Sequence, residues 1–382
     1  MDVSARFERY QRQILLKEFG EAGQQKLLQV KVLVTGAGGL GCPVLQYLAA
    51  AGVGEIGIAD DDVVSLTNLH RQVLYNMNDI GSSKAEVAAG RLKQLNPEIK
   101  IISYNVRLTN QNTLNIIEGY DMIVDGTDNF SSRYMINDAC VLLNKPLVYG
   151  AISQFEGQVA IFNYWNNSNE RPVNYRDLFP NPPKENEVLN CAEAGVLGVL
   201  PGIIGSMQAN ETIKLIAGIG EPWVNRLLTY NALTNRIYEL KLSANEHTQR
   251  LIPKNKAEFL NTDYNWLCSS GVNDVLEINA EDFNNLLEHN NTTVIDVRET
   301  GEQPSVNEFE HLQIPLSVLK EKQSLVNGDK IVVFCQTGKR SLQAVRLLKE
   351  VFNDSKKIYS LKGGILEWKR ARNGLVSAWV HK

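Results

Sequence analysis

The sequence predicts two successive α/β units. A larger one with a mainly parallel central sheet covers residues 1–242, a smaller one covers 276–382, and a linker at 243–275 joins them. Three observations carry this reading. Short Val- and Ile-rich runs alternate with helical stretches in both halves, the pattern of strands covered by helices on both faces. The run Val32-Leu33-Val34-Thr35 passes through a glycine turn, residues 36–41, into an apolar helical stretch ending at Ala51. Between Ser243 and Val275 the periodicity lapses, and Asn, Thr, Lys and Ser dominate, with Trp266 as a docking anchor.

In chain order, residues 31–35, 55–59, 99–104, 122–124 and 146–149 read as strands of the parallel sheet, and 83–95 as a helix among them. Residues 157–163 and 227–242 read as later, antiparallel strands. The polar segment 165–190 holds Pro172, Pro180, Pro182 and Pro183, which predicts a mobile loop. In the second unit, 294–297, 331–334 and 358–361 predict strands, 341–352 an amphipathic helix and 364–371 a closing helix.

The chain has 382 residues, 43% of them hydrophobic, enough to bury two cores. Its net charge is −4, and no Lys/Arg cluster is interleaved with aromatics, so nucleic acid is not an expected partner. No apolar run nears the roughly 20 residues of a membrane span, and residues 1–7 lack an apolar signal core. No membrane association and a cytoplasmic location are therefore expected. The five cysteines, Cys42, Cys140, Cys191, Cys268 and Cys335, do not make a disulfide framework in so long a chain. There is no Cys-x-x-Cys, so no zinc site is predicted.

A strand, a glycine turn and a helix together make a phosphate site. Glycines let the backbone approach the phosphates, and the helix N-terminus offers free N–H groups and a positive dipole end. A dinucleotide-binding unit would add a ribose-binding acid after the second strand. Asp60 supplies it, but as the start of Asp60-Asp61-Asp62, with Asn68, His70, Arg71 and Gln72 close behind. Ribose recognition needs no such Asn and Arg. Attack at an ATP α-phosphate uses both, to hold phosphate oxygens and neutralise growing charge. An NAD-dependent dehydrogenase would leave Arg71, Lys84 and Asp128 without a task. Each of these residues alone would equally fit a surface ion pair or a turn cap.

In the second unit, Cys335-Gln336-Thr337-Gly338-Lys339-Arg340-Ser341 joins a strand to a helix. Backbone N–H groups of such a loop point at the sulfur and favour a thiolate or persulfide, and Arg340 adds positive charge. Cysteine phosphatases share this architecture but place five residues between Cys and Arg. Here there are four, Gln336 through Lys339, and the smaller loop suits a sulfur atom rather than a phosphate.

Residues 5 to 242 resemble the HesA/MoeB/ThiF family of ubiquitin-activating-like adenylyltransferases. The matching stretches are Arg9-Tyr10-Gln11-Arg12-Gln13-Ile14, the glycine motif, Asp60 through Gln72, Gly81-Ser82-Ser83-Lys84, Asp125-Gly126-Thr127-Asp128-Asn129 and Cys191-Ala192-Glu193-Ala194-Gly195. The resemblance implies a Rossmann-like adenylation domain. It implies that Gly36, Gly38, Gly39 and Gly41 line the phosphate turn, that Asp60 binds ribose with Asp62 close by, and that Asn68, Arg71 and Lys84 hold the triphosphate of ATP. Asp128 would carry Mg²⁺, with Asn129 adjacent. Arg12 would reach the partner subunit's ATP site, which implies a homodimer. Cys191 would be the cysteine that joins the carrier protein. Relatives in this family carry two Cys-x-x-Cys zinc pairs. The first would fall near residues 171–176 and the second after 242, and neither region contains Cys. No zinc is expected, with ordinary packing in its place.

Residues 276–382 resemble a single rhodanese domain, on the Cys335 loop, Asp296-Val297-Arg298-Glu299 and Gly363-Gly364-Ile365-Leu366-Glu367-Trp368. Together the two resemblances imply ATP-dependent adenylation of the C-terminal glycine of a small ubiquitin-like sulfur carrier ending in Gly-Gly. Sulfur transfer from a Cys335 persulfide would then give a thiocarboxylate. The implied carrier is the molybdopterin synthase small subunit, and the implied sulfur donor a cysteine desulfurase. Carriers of the thiamine or tRNA-thiolation pathways are alternatives, as is a thioester at Cys191 that feeds protein conjugation.

Overall fold

The computed structural model describes residues 7–165, 171–182, 195–264, 276–287, 291–352 and 356–379. The chain divides into two compact units, Met1–Ser269 and Ser270–Lys382. No helix among the described residues is long and apolar enough to cross a membrane.

The first unit is built on eight strands: β1 (Lys31–Thr35), β2 (Glu55–Ala59), β3 (Lys100–Tyr104), β4 (Met122–Asp125), β5 (Leu147–Ser153), β6 (Glu156–Phe162), β7 (Arg226–Asn231) and β8 (Arg236–Lys241). Their order is β3-β2-β1-β4-β5-β6-β7-β8. The first five are parallel and the last three join antiparallel, with Val34 opposite Ile58 and Val124, and Val148 opposite Ile161. Side chains alternate across a strand, so each face of β1 has its own core. Val32 and Val34 join Ile56, Ile58, Leu45, Leu48, Ala88 and Leu92 on one face, under the helices Gly41–Ala51 and Lys84–Leu95. Leu33 joins Ile123, Leu147, Ile136 and Ala139 on the other, under the helix Phe130–Leu142. Each fully buried Val, Leu or Ile contributes about 1.5–3 kcal/mol, so the sheet positions its connecting loops firmly.

Two sequence expectations change here. Part of segment 165–190, expected to be a mobile loop, is held in the core. Residues 171–182 contain the short helix Tyr175–Leu178, and Arg176 is 2% exposed, in a bidentate ion pair with Asp138 at 2.8 and 2.7 Å. A buried guanidinium is tolerated only with such a partner. Residues 243–264, expected to be linker, also fold onto the first unit. They form the helices Glu246–Gln249 and Lys256–Asn261, bury Phe259, and place the Tyr264 hydroxyl 3.0 Å from Asp138 Oδ2. Polar composition concealed both, because the partners lie far away in sequence. Trp266 and Cys268 lie outside the described residues.

The segments that correspond to the two missing cysteine pairs are joined by hydrogen bonds around the Arg171–Asp177 ion pair. Arg171 donates to both Asp177 oxygens at 2.8 Å and to Asn245 O, while Thr248 Oγ1 donates to Asp177 Oδ1 at 2.5 Å.

The second unit is a parallel sheet of β9 (Leu276–Ile278), β10 (Thr292–Asp296), β11 (Leu312–Gln313), β12 (Lys330–Phe334) and β13 (Lys357–Leu361), ordered β11-β10-β12-β13-β9. β12 serves two cores. Ile331 and Val333 pack with Ala344, Val345 and Leu348 of the helix Lys339–Phe352, while Val332 and Phe334 pack with Phe283 and Trp368.

Candidate functional site

In the first unit the strand order reverses at β1 and β4, and open α/β sheets bind ligands beyond the strand C-termini at such a point. Three loops meet there: residues 36–40 after β1, 60–62 after β2 and 126–129 after β4. The turn closes tightly. Gly36 has φ +90° and a Cβ there would lie 2.8 Å from Gly126 O, while a Cβ on Gly41 would lie 1.9 Å from Gly36 O. Only glycine fits either position. Gly38 N and Gly39 N follow at the start of the helix Gly41–Ala51, whose free N–H end closes the turn.

Asp60 fixes this turn from the side. Its Oδ2 accepts from Ala37 N at 2.7 Å and its Oδ1 from Asp62 N at 2.9 Å. Each oxygen keeps a lone pair for a ribose hydroxyl. Burial pushes the Asp60 carboxyl above the ordinary carboxylate range, opposed by the Ala37 N–H and the Lys84 ammonium. Lys84 is 4% exposed and its Nζ donates to Asp62 Oδ2 at 2.9 Å. Asn68 ends the short 3-10 turn Leu66–Asn68 and its carbonyl accepts from Arg71 N at 3.0 Å. The Arg71 guanidinium lies 2.8 Å from His70 Nε2 and donates to Thr67 O at 3.2 Å.

Asp128 is exposed and makes no hydrogen bond or ion pair with any described residue. Such an open, hard oxygen donor fits Mg²⁺, which keeps several waters and binds through one or two carboxylates plus substrate phosphates. Its neighbour Asn129 is already used as a helix cap, accepting from Ser132 N at 2.9 Å. Arg12 is exposed on the helix Gln11–Ile14, also with no hydrogen bond or ion pair to a described residue. Cys191 lies outside the described residues.

Sequence reasoning missed the supports of the Asp128 loop. Fully buried Asp125 accepts from Thr127 N at 2.9 Å and from Thr127 Oγ1 at 2.7 Å, and Arg133 donates to Thr127 O at 3.1 Å. Arg133 lies six residues from Thr127, so only the folded turn brings the two together. Burial pushes the Asp125 carboxyl up, with Arg133 opposing.

In the second unit Cys335 is buried at the end of β12, and Gly338 N donates to its Sγ at 3.2 Å. Ser341 Oγ lies 3.8 Å from the sulfur, donates to Gly338 O at 2.8 Å and lies 2.9 Å from Ser360 Oγ. Gly338 has φ +94° and Gly364, which packs against it, φ +61°. The Arg340 charge is not left for the sulfur alone. Glu302, which the sequence did not single out, takes Arg340 Nη1 and Nη2 at 2.5 and 2.6 Å, and Arg340 holds the Glu302 carboxyl down at about 2. On the neighbouring strand β10, Asp296 lies opposite Phe334 and pairs with Arg298 at 2.6 Å, and Arg298 donates to Pro304 O at 2.8 Å.

Residues 10–251 match the ThiF family, and residues 279–371 match the rhodanese-like domain. The chain belongs to the ThiF family. It is an adenylyltransferase that carries a sulfurtransferase domain. Among its relatives, "Adenylyltransferase and sulfurtransferase MOCS3" of Aedes aegypti is 40% identical over 370 residues, covering 91% of this chain and 82% of that protein. "Sulfur carrier protein adenylyltransferase" of Thermus thermophilus is 51% identical over 238 residues, covering 62% of this chain and 88% of that protein. The crystal structure of E. coli MccB with succinimide is similar in fold, with a TM-score of 0.55 at 24% identity, covering 63% of this chain and 73% of that chain.

Proposed function

We propose that this ThiF-family enzyme uses Mg-ATP to adenylate the C-terminal glycine of a small ubiquitin-like sulfur carrier, the small subunit of molybdopterin synthase. A Cys335 persulfide then converts that carboxyl into a thiocarboxylate. One observation carries the reading. The same chain holds a phosphate turn flanked by Arg71, Lys84 and Asp128, and a buried thiol with a loop N–H aimed at its sulfur. Adenylation alone leaves the thiol unexplained, and sulfur transfer alone leaves the phosphate site unexplained.

In the first step a carboxylate oxygen of the carrier attacks the ATP α-phosphorus, the bond to the bridging oxygen breaks, and pyrophosphate leaves. The turn N–H groups, Arg71 and Lys84 hold the phosphates and offset the charge that grows on them. Asp128 would hold magnesium, which when bound supplies further charge to the phosphate oxygens. In the second step the outer sulfur of the Cys335 persulfide attacks the acyl carbon and AMP leaves. A thiol, for which Cys191 is the proposed group, then attacks Cys335 Sγ. This breaks the S–S bond, releases the thiocarboxylate and leaves a disulfide for a cellular dithiol to reduce. A persulfide-bearing cysteine desulfurase is the proposed sulfur donor.

A homodimer is part of the proposal. Arg12 is exposed, and Val63, Leu66, Val73, Met77 and Ile80 expose apolar side chains within one short stretch, as a subunit interface would. A cytoplasmic location is also proposed, since the reaction needs ATP and reduced thiols together.

The test is carrier-dependent ATP–pyrophosphate exchange. Asp128→Ala should lower it by roughly 100-fold or more while Cys335 still takes up a persulfide. Exchange at the wild-type rate in this variant would overturn the role given to Asp128.

A further inference from the structure

Between Arg71 and Lys84 lies Tyr75, which the reaction as described does not use. Its ring is packed in the core of the first unit, and the residue is 5% exposed. Its hydroxyl donates to Ala37 O at 2.8 Å, with Lys84 O at 3.2 Å sharing the same proton. Ala37 belongs to the phosphate turn, and Lys84 opens the helix that carries the ammonium. Neither carbonyl can donate back, so the phenol has to stay protonated to serve both. Burial pushes it in that direction.

These two bonds close a ring. Asp60 Oδ2 holds Ala37 N at 2.7 Å, Asp60 Oδ1 holds Asp62 N at 2.9 Å, and Lys84 N donates to Asp62 O at 3.0 Å. Lys84 Nζ returns to Asp62 Oδ2 at 2.9 Å. Turn, acidic loop and lysine helix are thus tied through Asp60, Asp62 and Tyr75. Tyr75 is itself fixed, because Arg91, on the lysine helix, donates to Leu74 O and pairs with Asp79.

We propose that Tyr75 is a positioning residue for adenylation: its hydroxyl locks the phosphate turn to the Lys84 helix, so that the triphosphate meets one preset frame. The claim rests on the adenylation reading above. Tyr75 does not touch the nucleotide. It acts through the Ala37 peptide and through the origin of the lysine side chain, where small misplacements weaken every phosphate contact.

The experiment uses the full chain as wild type, Tyr75→Phe and Tyr230→Phe. Phenylalanine keeps the ring in its core site and removes only the hydroxyl. Tyr230 is the control, because its hydroxyl likewise makes a hydrogen bond, to Asn235 Oδ1 at 2.6 Å, but in the β7–β8 hairpin. Affinities for ATP and for adenosine are measured by calorimetry without carrier, and pyrophosphate exchange with carrier. Tyr75→Phe should weaken ATP binding and slow exchange about tenfold, the scale of one buried hydrogen bond, with adenosine affinity within about twofold. Tyr230→Phe should leave all three within about twofold. A merely structural role would weaken ATP and adenosine equally and would overturn the proposal, as would wild-type ATP affinity in Tyr75→Phe. A wild type that binds ATP but never exchanges overturns the adenylation reading instead, and the two affinities still decide the role of Tyr75.

Discussion

Gly364→Ala should disable sulfur transfer while leaving adenylation intact. Gly364 has φ +61°, and a Cβ added there would lie 2.5 Å from Cys335 O, 2.6 Å from Gly338 N and 2.7 Å from the carbonyl carbon of Gln336. All three are backbone atoms of the loop that holds the sulfur, so no side chain can rotate away. The left-handed backbone costs an alanine about 1–2 kcal/mol, and the forced shift adds about 1–3 kcal/mol of overpacking. The second unit should therefore lose about 2–5 kcal/mol, and the shift should move Gly338 N away from Cys335 Sγ. Gly301→Ala separates the two effects, because Gly301 has φ +91° but no atom within 4 Å of its Cβ position. It carries the backbone cost alone. The assays are persulfide loading of Cys335 by intact mass spectrometry, scanning calorimetry, and carrier-dependent pyrophosphate exchange. Loading should fall at least tenfold in Gly364→Ala and stay within about twofold in Gly301→Ala, with exchange unchanged in both. Wild-type loading by Gly364→Ala, or equal losses in the two variants, would show that close packing at Gly364 does not hold the sulfur loop in place.

Other consequences follow from the same geometry. Asp138→Asn leaves the buried Arg176 guanidinium without its charge partner and should cost the first unit about 3–5 kcal/mol; urea unfolding should show a clearly smaller loss for Asp138→Leu combined with Arg176→Met. Glu302, held at about 2 against an ordinary 4.5, lends the second unit stability that is present above pH 4.5 and lost as pH falls towards 2. Glu302→Gln should flatten that part of the pH profile of thermal unfolding, and an unchanged slope would count against the Arg340 pair. Burial pushes the Cys42 thiol up to about 12 and raises Cys140 as well. Iodoacetamide at pH 8 should leave both unmodified in the native protein, and their rapid labelling would contradict the packing.

What the sequence made legible was local. The glycine turn, the Asp60 loop, the Ser83-Lys84 helix start and the Cys335 loop each lie within a few residues, and spacing alone suggests their chemistry. What stayed hidden depends on partners far apart in the chain. Arg176 reaches Asp138 across 38 residues and Tyr264 reaches it across 126, so segments polar enough to read as loop and linker are in fact docked. Arg340 meets Glu302 across 38 residues, and composition gave no sign that its charge was already engaged. Gly39 looks like one more phosphate-turn glycine, yet a Cβ there would also press on Pro201 at 3.0 Å, a contact made by a much later helix. Tyr75 lies 38 residues from Ala37, so nothing local in the sequence marks its hydroxyl as a support of the phosphate turn.

The most direct test of the central claim is intact mass spectrometry of a carrier ending in Gly-Gly. The carrier is incubated with Mg-ATP, a persulfide donor and either wild-type enzyme or Cys335→Ala. The account predicts that wild type replaces one carboxyl oxygen of the carrier with sulfur, and that Cys335→Ala stops at the acyl-adenylate. A carrier that is adenylated but gains no sulfur with either protein, or gains it equally with both, would contradict the account.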